Sequence, residues 1–153
     1  MKKVIVFDMD GTIADFYGVE GWLDDLHASN PRPYEIAKPL VDMVVLNELL
    51  KVLKAQGWII CVTSWLANGS SKEFDKLVRI AKRNWLAKYD FPYDEIHLVK
   101  YGTTKANCTR HHKGYQVLVD DNAEVRAAWK GETINACEDI MKELKSLLAI
   151  FGK

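Results

Sequence analysis

The sequence carries no excess charge of either sign: 21 Lys and Arg balance 21 Asp and Glu, for a formal net charge of zero. Binding a long polyanion calls for clustered Lys and Arg, so the composition disfavours a long nucleic acid partner and an anionic membrane surface. Long apolar runs are missing as well. Nothing approaches the roughly 20 residues that a spanning helix needs, and Val4–Phe7 is too short for a signal-peptide core. These absences predict a cytoplasmic protein without membrane association. Cysteine is scarce: Cys61, Cys108 and Cys137 are widely separated and form no CxxC pair, so reduced thiols are expected. Cys108 with His111 and His112 lacks a visible fourth ligand, and adjacent histidines grip one tetrahedral ion poorly, which disfavours zinc there.

What is present suits one soluble domain over residues 1–153, at 48% hydrophobic and 27% charged. Val4–Phe7 is a β-branched and aromatic run of the kind buried on both faces of a parallel sheet. A helix is expected from about Pro39 to Gln56, with Leu46, Leu49, Leu50 and Leu53 at helical spacing, Pro39 in its first turn and Gly57 as its stop. Strand Trp58–Val62 follows. Ser70-Ser71-Lys72-Glu73 reads as a capping box opening a second helix through Trp85. Further on, strands are predicted at Glu95–Val99, Tyr115–Val119 and Glu132–Ile134. Helices are predicted at Thr103–His112, Ala123–Trp129 and Glu138–Ile150. This alternation predicts an α/β fold: a doubly wound, Rossmann-like parallel sheet covered by helices on both faces, with no large cap domain.

Ligands of such sheets collect at the carboxyl ends of the strands. There the sequence places Asp8-Met9-Asp10-Gly11-Thr12, then Thr63-Ser64, then Lys100 and Lys105, then Asp120-Asp121. Phosphoryl transfer asks for such a set: a nucleophile, a divalent ion, support for the phosphoryl oxygens and a proton donor. The Asp8 carboxylate can attack phosphorus and form an aspartyl-phosphate. Asp8 crowded against Asp121 calls for a hard cation with oxygen ligands, and magnesium fits. Lys105 can counter remaining negative charge, Thr63 can donate to a phosphate oxygen, and Ser64 is a second donor. Asp10 can protonate the leaving oxygen and later activate water. Gly11 permits a tight turn and close approach of backbone N–H groups to phosphate. Lys100 competes with Lys105; Lys105 is preferred because Thr103 or Thr104 can cap a helix that aims it at the site.

On these residues the chain resembles the haloacid dehalogenase-like (HAD) superfamily over nearly its full length. Asp8-x-Asp10-Gly11-Thr12 after a buried strand is similar to that family's first motif, Thr63 to the second, Lys105 to the third and Asp120-Asp121 to the fourth. The resemblance implies Asp8 as nucleophile and Asp10 as general acid/base. It further implies that Asp8, the backbone carbonyl of Asp10 and Asp121 hold Mg2+, with Asp120 orienting Lys105 or the metal's waters. The carboxylate at Asp10 implies the phosphatase branch rather than the dehalogenases. Thr63-Ser64 and Asp120-Asp121 also resemble the small deoxyribonucleotidases of this superfamily, without their larger cap.

Between the first motif and the Pro39 helix, residues 16–38 are too few for an independent domain and read as a small lid. Tyr17, Trp22 and Tyr34 of this segment, with Trp65, favour a nucleotide-like phosphomonoester, since aromatic faces stack on bases. A nucleic-acid end or a phosphoprotein is the alternative substrate. Trp58, Trp85, Trp129 and Trp22 read as core, and His111-His112 as a helix end reaching solvent. The rivals of another class are a catalytically silent HAD-like binding module and a receiver-type signalling domain. In a receiver the phosphorylated aspartate would end an internal strand, where Thr63 stands here. The sequence leaves the oligomeric state open.

Overall fold

A computed structural model describes residues 2–151. Five parallel strands form the main sheet: β1 (Lys2–Phe7), β4 (Trp58–Trp65), β5 (Glu95–Val99), β6 (Gly114–Asp120) and β7 (Glu132–Asn135), in the order β5-β4-β1-β6-β7. Two short strands, β2 (Ala14–Asp15) and β3 (Lys38–Pro39), pair antiparallel beside it. The helices are α1 (Trp22–His27), α2 (Arg32–Ile36), α3 (Met43–Ala55), α4 (Lys72–Lys88), α5 (Ala106–Thr109), α6 (Ala123–Ala128) and α7 (Ile140–Phe151). This is the doubly wound, Rossmann-like α/β fold that the alternation of elements predicts. No helix of the described residues is long and apolar enough to cross a membrane.

β1 occupies the centre, paired in parallel with β4 and β6, and Val4 to Phe7 are fully buried. Side chains alternate across the sheet. Ile5, Phe7, Ile60, Val62, Val117 and Val119 face the main core, where Leu46, Leu50 and Leu53 of α3 and Leu144 of α7 pack. Val4, Val6, Cys61 and Leu118 face the thinner layer, against Trp129, Ala106 and Val125. Leu50→Ala in so closed a core would cost about 2–5 kcal/mol.

Several boundaries differ from the sequence reading. Pro39 lies in β3, not in a first helical turn, because Asp42 caps α3: its Oδ1 accepts from the N–H groups of Val44 and Val45 at 3.1 and 3.2 Å. The cap of α4 is Ser71, whose Oγ accepts from Phe74 N–H; Ser70 instead donates to the Ala67 carbonyl and to Asp75. β4 runs on to Trp65, past the expected end at Val62. The helix predicted over Thr103–His112 shrinks to α5. Neither Thr103 nor Thr104 caps it by a side chain; the Thr103 hydroxyl donates to the Lys100 carbonyl.

Candidate active site

The carboxyl ends of β1, β4 and β6 open into a cavity of about 810 Å³. Asp8, Asp10, Ser64, Lys105, Asp120 and Asp121 line its floor end together with Trp65. Sequence-distant groups meet here because β1 is central and β4 and β6 pair with it in parallel, so that the carboxyl ends of all three strands lie on one edge of the sheet.

Lys105 ties β1 to β6. Its Nζ donates to Asp8 Oδ1 at 2.8 Å and to Asp120 Oδ2 at 2.7 Å, and lies 5.3 Å from the Trp65 ring centroid. Burial alone would depress the Lys105 ammonium, but the Asp8 and Asp120 carboxylates outweigh it and hold it above its ordinary value. The other oxygen of Asp8 accepts from Thr12 Oγ1 at 2.9 Å, and the same hydroxyl lies 3.3 Å from Asp121 Oδ1. Carboxylate oxygens of Asp8, Asp120 and Asp121 stand within 4.8 Å of one another. Burial and the nearby Asp8 charge push Asp121 up to about 7, and raise Asp120 as well. Carboxylates crowded and buried in this way fit a hard divalent cation, which would relieve their repulsion.

Asp10 is held from the opposite side by Lys82 of α4, which the sequence reading missed. Lys82 is buried, and its three ammonium donors meet three acceptors: Asp10 Oδ2 at 3.0 Å, Ser64 Oγ at 2.6 Å and the Trp65 carbonyl at 2.8 Å. A buried lysine is tolerable only when so fully paired. Burial raises the Asp10 carboxyl above its ordinary value, against the pull of Lys82. The available signal is that Phe74, Val78, Ala81 and Trp85 mark the buried stripe of α4, and residue 82 falls on it.

Two expected site residues stand elsewhere. Thr63 does not line the cavity: it is fully buried, and its Oγ1 has no hydrogen-bond partner among the described residues. Ser64 is the β4 hydroxyl that reaches the cavity. Gly11 also lies outside the lining, and its N–H is already donated to the Ala14 carbonyl at 2.8 Å, so it is not offered to a ligand. Its φ of 80° and its place against Asp121 explain the glycine: an added Cβ would fall inside the Asp121 carboxylate. Lys100 is exposed and absent from the lining.

The segment over residues 16–38 folds as α1 and α2 above the site. Phe16 packs on Tyr34 and Trp22, with ring centroids at 4.6 and 5.4 Å, and Trp22, partly buried against the core, also lines the cavity. Tyr17 is exposed and lines the same cavity as Asp8, Asp10 and Asp121, and partial burial, joined by the charges of Asp10, Asp121 and Asp8, pushes its hydroxyl up to about 12. Across the cavity Trp65 packs against exposed Tyr101 at 5.0 Å, its Nε1 donating to the Thr103 carbonyl.

No family model and no curated protein sequence matches the chain. Among solved structures, it is similar to a chain of the Pnkp1/Rnl/Hen1 RNA repair complex, with a TM-score of 0.61 and 17% identity over 88% of this chain and 42% of that one. It thus spans less than half the length of that chain. A D,D-heptose 1,7-bisphosphate phosphatase from Burkholderia Thailandensis aligns with a TM-score of 0.49 and 16% identity, over 83% of this chain and 71% of that one. The first likeness concerns the shared α/β fold.

Proposed function

We propose that the chain is a magnesium-dependent phosphomonoester hydrolase of HAD type, acting through an aspartyl-phosphate at Asp8 on a nucleotide or related small phosphomonoester. The observation that carries this reading is the joint placement of Asp8, Lys105, Asp120 and Asp121 on one cavity floor, with Asp10 beside them on its own lysine.

In this reading Lys105 and Thr12 each hold one oxygen of Asp8 and orient the carboxylate for attack on phosphorus. Asp10, its carboxyl raised by burial, is placed to give a proton to the leaving oxygen and to take one from water when the acyl-phosphate is hydrolysed. Ser64 and Lys105 face the phosphoryl oxygens. Asp8, Asp121 and the Asp10 carbonyl would hold magnesium, which supplies charge neutralisation for the crowded acids and polarises the phosphoryl group. Asp120 is left to orient Lys105, the role its 2.7 Å contact supports.

A nucleotide is favoured because Tyr17 and Trp22 on one wall and Trp65 and Tyr101 on the other line the same cavity as the acids. Stacking is worth about 1–3 kcal/mol per base, enough to prefer nucleotides over sugar phosphates by one or two orders of magnitude. The fold neighbour from an RNA repair complex makes a phosphorylated oligonucleotide end the second reading. The test compares kcat/KM for nucleoside monophosphates, sugar phosphates and a 3′- or 5′-phosphorylated oligonucleotide, before and after Trp65→Ala. Nucleotides should lead, and Trp65→Ala should erode that lead. A win for sugar phosphates refutes the stacking argument, and a win for the oligonucleotide with steep salt dependence selects the second reading.

A further inference from the structure

A second cluster of metal-binding side chains lies on the thinner layer, under the edge of the sheet and apart from the acids. The β4–β5 register pairs Cys61 with Glu95 and Thr63 with His97, so Cys61, Glu95 and His97 share one face. The segment after α5 brings His111 and His112 against that face. Three of the four histidines of the chain converge on one carboxylate: His112 Nε2 lies 2.7 Å from Glu95 Oε1, His111 Nε2 3.4 Å from the same oxygen, and His97 Nε2 3.2 Å from Oε2. The thiol of Cys61 reaches Glu95 Oε2 at 3.6 Å. Donor atoms of Cys61, Glu95 and His112 all lie within 4.8 Å of one another.

From this geometry we propose that Cys61, Glu95 and His112, with His97 as fourth donor, hold a zinc-class divalent ion. Thiolate, imidazole and carboxylate are the donors zinc takes, at about 2.3 Å to sulfur and about 2.0–2.2 Å to nitrogen and oxygen. A tetrahedron with those bond lengths has a sulfur–oxygen edge of about 3.5 Å and a nitrogen–oxygen edge of about 3.3 Å. The 3.6 Å between Cys61 Sγ and Glu95 Oε2 matches the first edge and the 3.2 Å between His97 Nε2 and that same oxygen matches the second, while His112 Nε2, on Oε1, is within 4.8 Å of the Cys61 and Glu95 donor atoms. The acid cluster, all oxygen, selects a hard cation instead, so the two sites sort different metals. Binding would release the Cys61 thiol proton to solvent and leave a sulfur–metal bond. The ion would staple β4 and β5 to the chain after α5, the short helix that Lys105 immediately precedes.

The test is a cobalt(II) titration of the reduced full chain, followed by absorption, with zinc competition and thermal unfolding alongside. The expected result is one equivalent of cobalt giving a thiolate charge-transfer band and tetrahedral ligand-field bands, displaced by zinc, with zinc raising the unfolding temperature. Cys61→Ser should lose the charge-transfer band, and His112→Gln should weaken binding by at least about tenfold. Asp8→Asn should leave the bands intact. If Cys61→Ser does not fold, the double variant Cys108→Ser, Cys137→Ser leaves Cys61 as the sole thiol and should retain the band. No thiolate band in the wild type, or its loss in that double variant, overturns the proposal.

Discussion

Lys82 Nζ sits 3.0 Å from Asp10 Oδ2, and it is the only ammonium among the described residues that forms an ion pair with Asp10. The contact spans 72 positions in sequence and fixes the orientation of the carboxyl proposed as the general acid. Lys82→Met should therefore lower kcat by about 10–100-fold, the range typical of groups that orient a reacting residue. KM should move little, because Lys82 does not line the cavity. Steady-state kinetics with a circular dichroism control for folding checks this; an unchanged kcat would detach Lys82 from the chemistry.

Asp10→Asn should slow alkyl phosphates more than p-nitrophenyl phosphate, since a good leaving group scarcely needs a proton and general acid help is worth about 10²–10⁴-fold. Equal losses on the two substrates would remove Asp10 from the acid role.

Gly11→Ala combines a φ of 80° with a Cβ placed inside the Asp121 carboxylate. The backbone penalty alone is about 1–2 kcal/mol. Displacing Asp121 should further weaken the response of activity to magnesium. A magnesium titration of activity, run beside thermal unfolding, separates the two effects.

Glu95 gives a pH-dependent contribution to stability. Burial would raise its carboxyl, but hydrogen bonds from His112, His97 and His111 outweigh that and lower it from 4.5 to about 2. A depressed carboxyl stabilises the fold above its ordinary value and loses that contribution as pH falls through the folded value. The stability gap between wild type and Glu95→Gln, measured in chelator, should thus be full above 4.5 and close as pH falls toward about 2. A gap that stays constant through that window would contradict the network.

The acids were legible in sequence because each ends an apolar run, and a parallel sheet brings the ends of its strands to one edge. Asp8, Asp10, Asp120 and Asp121 meet there on that logic, whereas Lys105, preferred over Lys100 for a helix cap by Thr103 or Thr104, reaches the site without that cap. The hydroxyl was harder to place, since side chains alternate along a strand: Ser64 shares the face of Val62, while Thr63 falls on the face of Cys61. With β4 running to Trp65 instead of stopping short, the cavity receives Ser64. Lys82 was hidden because a lysine in a charged amphipathic helix reads as solvent-facing until its acceptors, which come from β4 and the turn after β1, are known. The burial of His112 was equally hidden. Its partner Glu95 lies 17 residues away on an edge strand, and no local pattern joins them.

The central claim is that Asp8 becomes phosphorylated during turnover. The most direct measurement is an acid quench of the enzyme while it turns over a radiolabelled phosphomonoester in magnesium, followed by peptide mapping. The account predicts label on the peptide bearing Asp8, released by hydroxylamine as an acyl-phosphate, and absent in folded Asp8→Asn or in chelator. Turnover that continues in Asp8→Asn, or steady hydrolysis with no label on that peptide under any quench time, would contradict it.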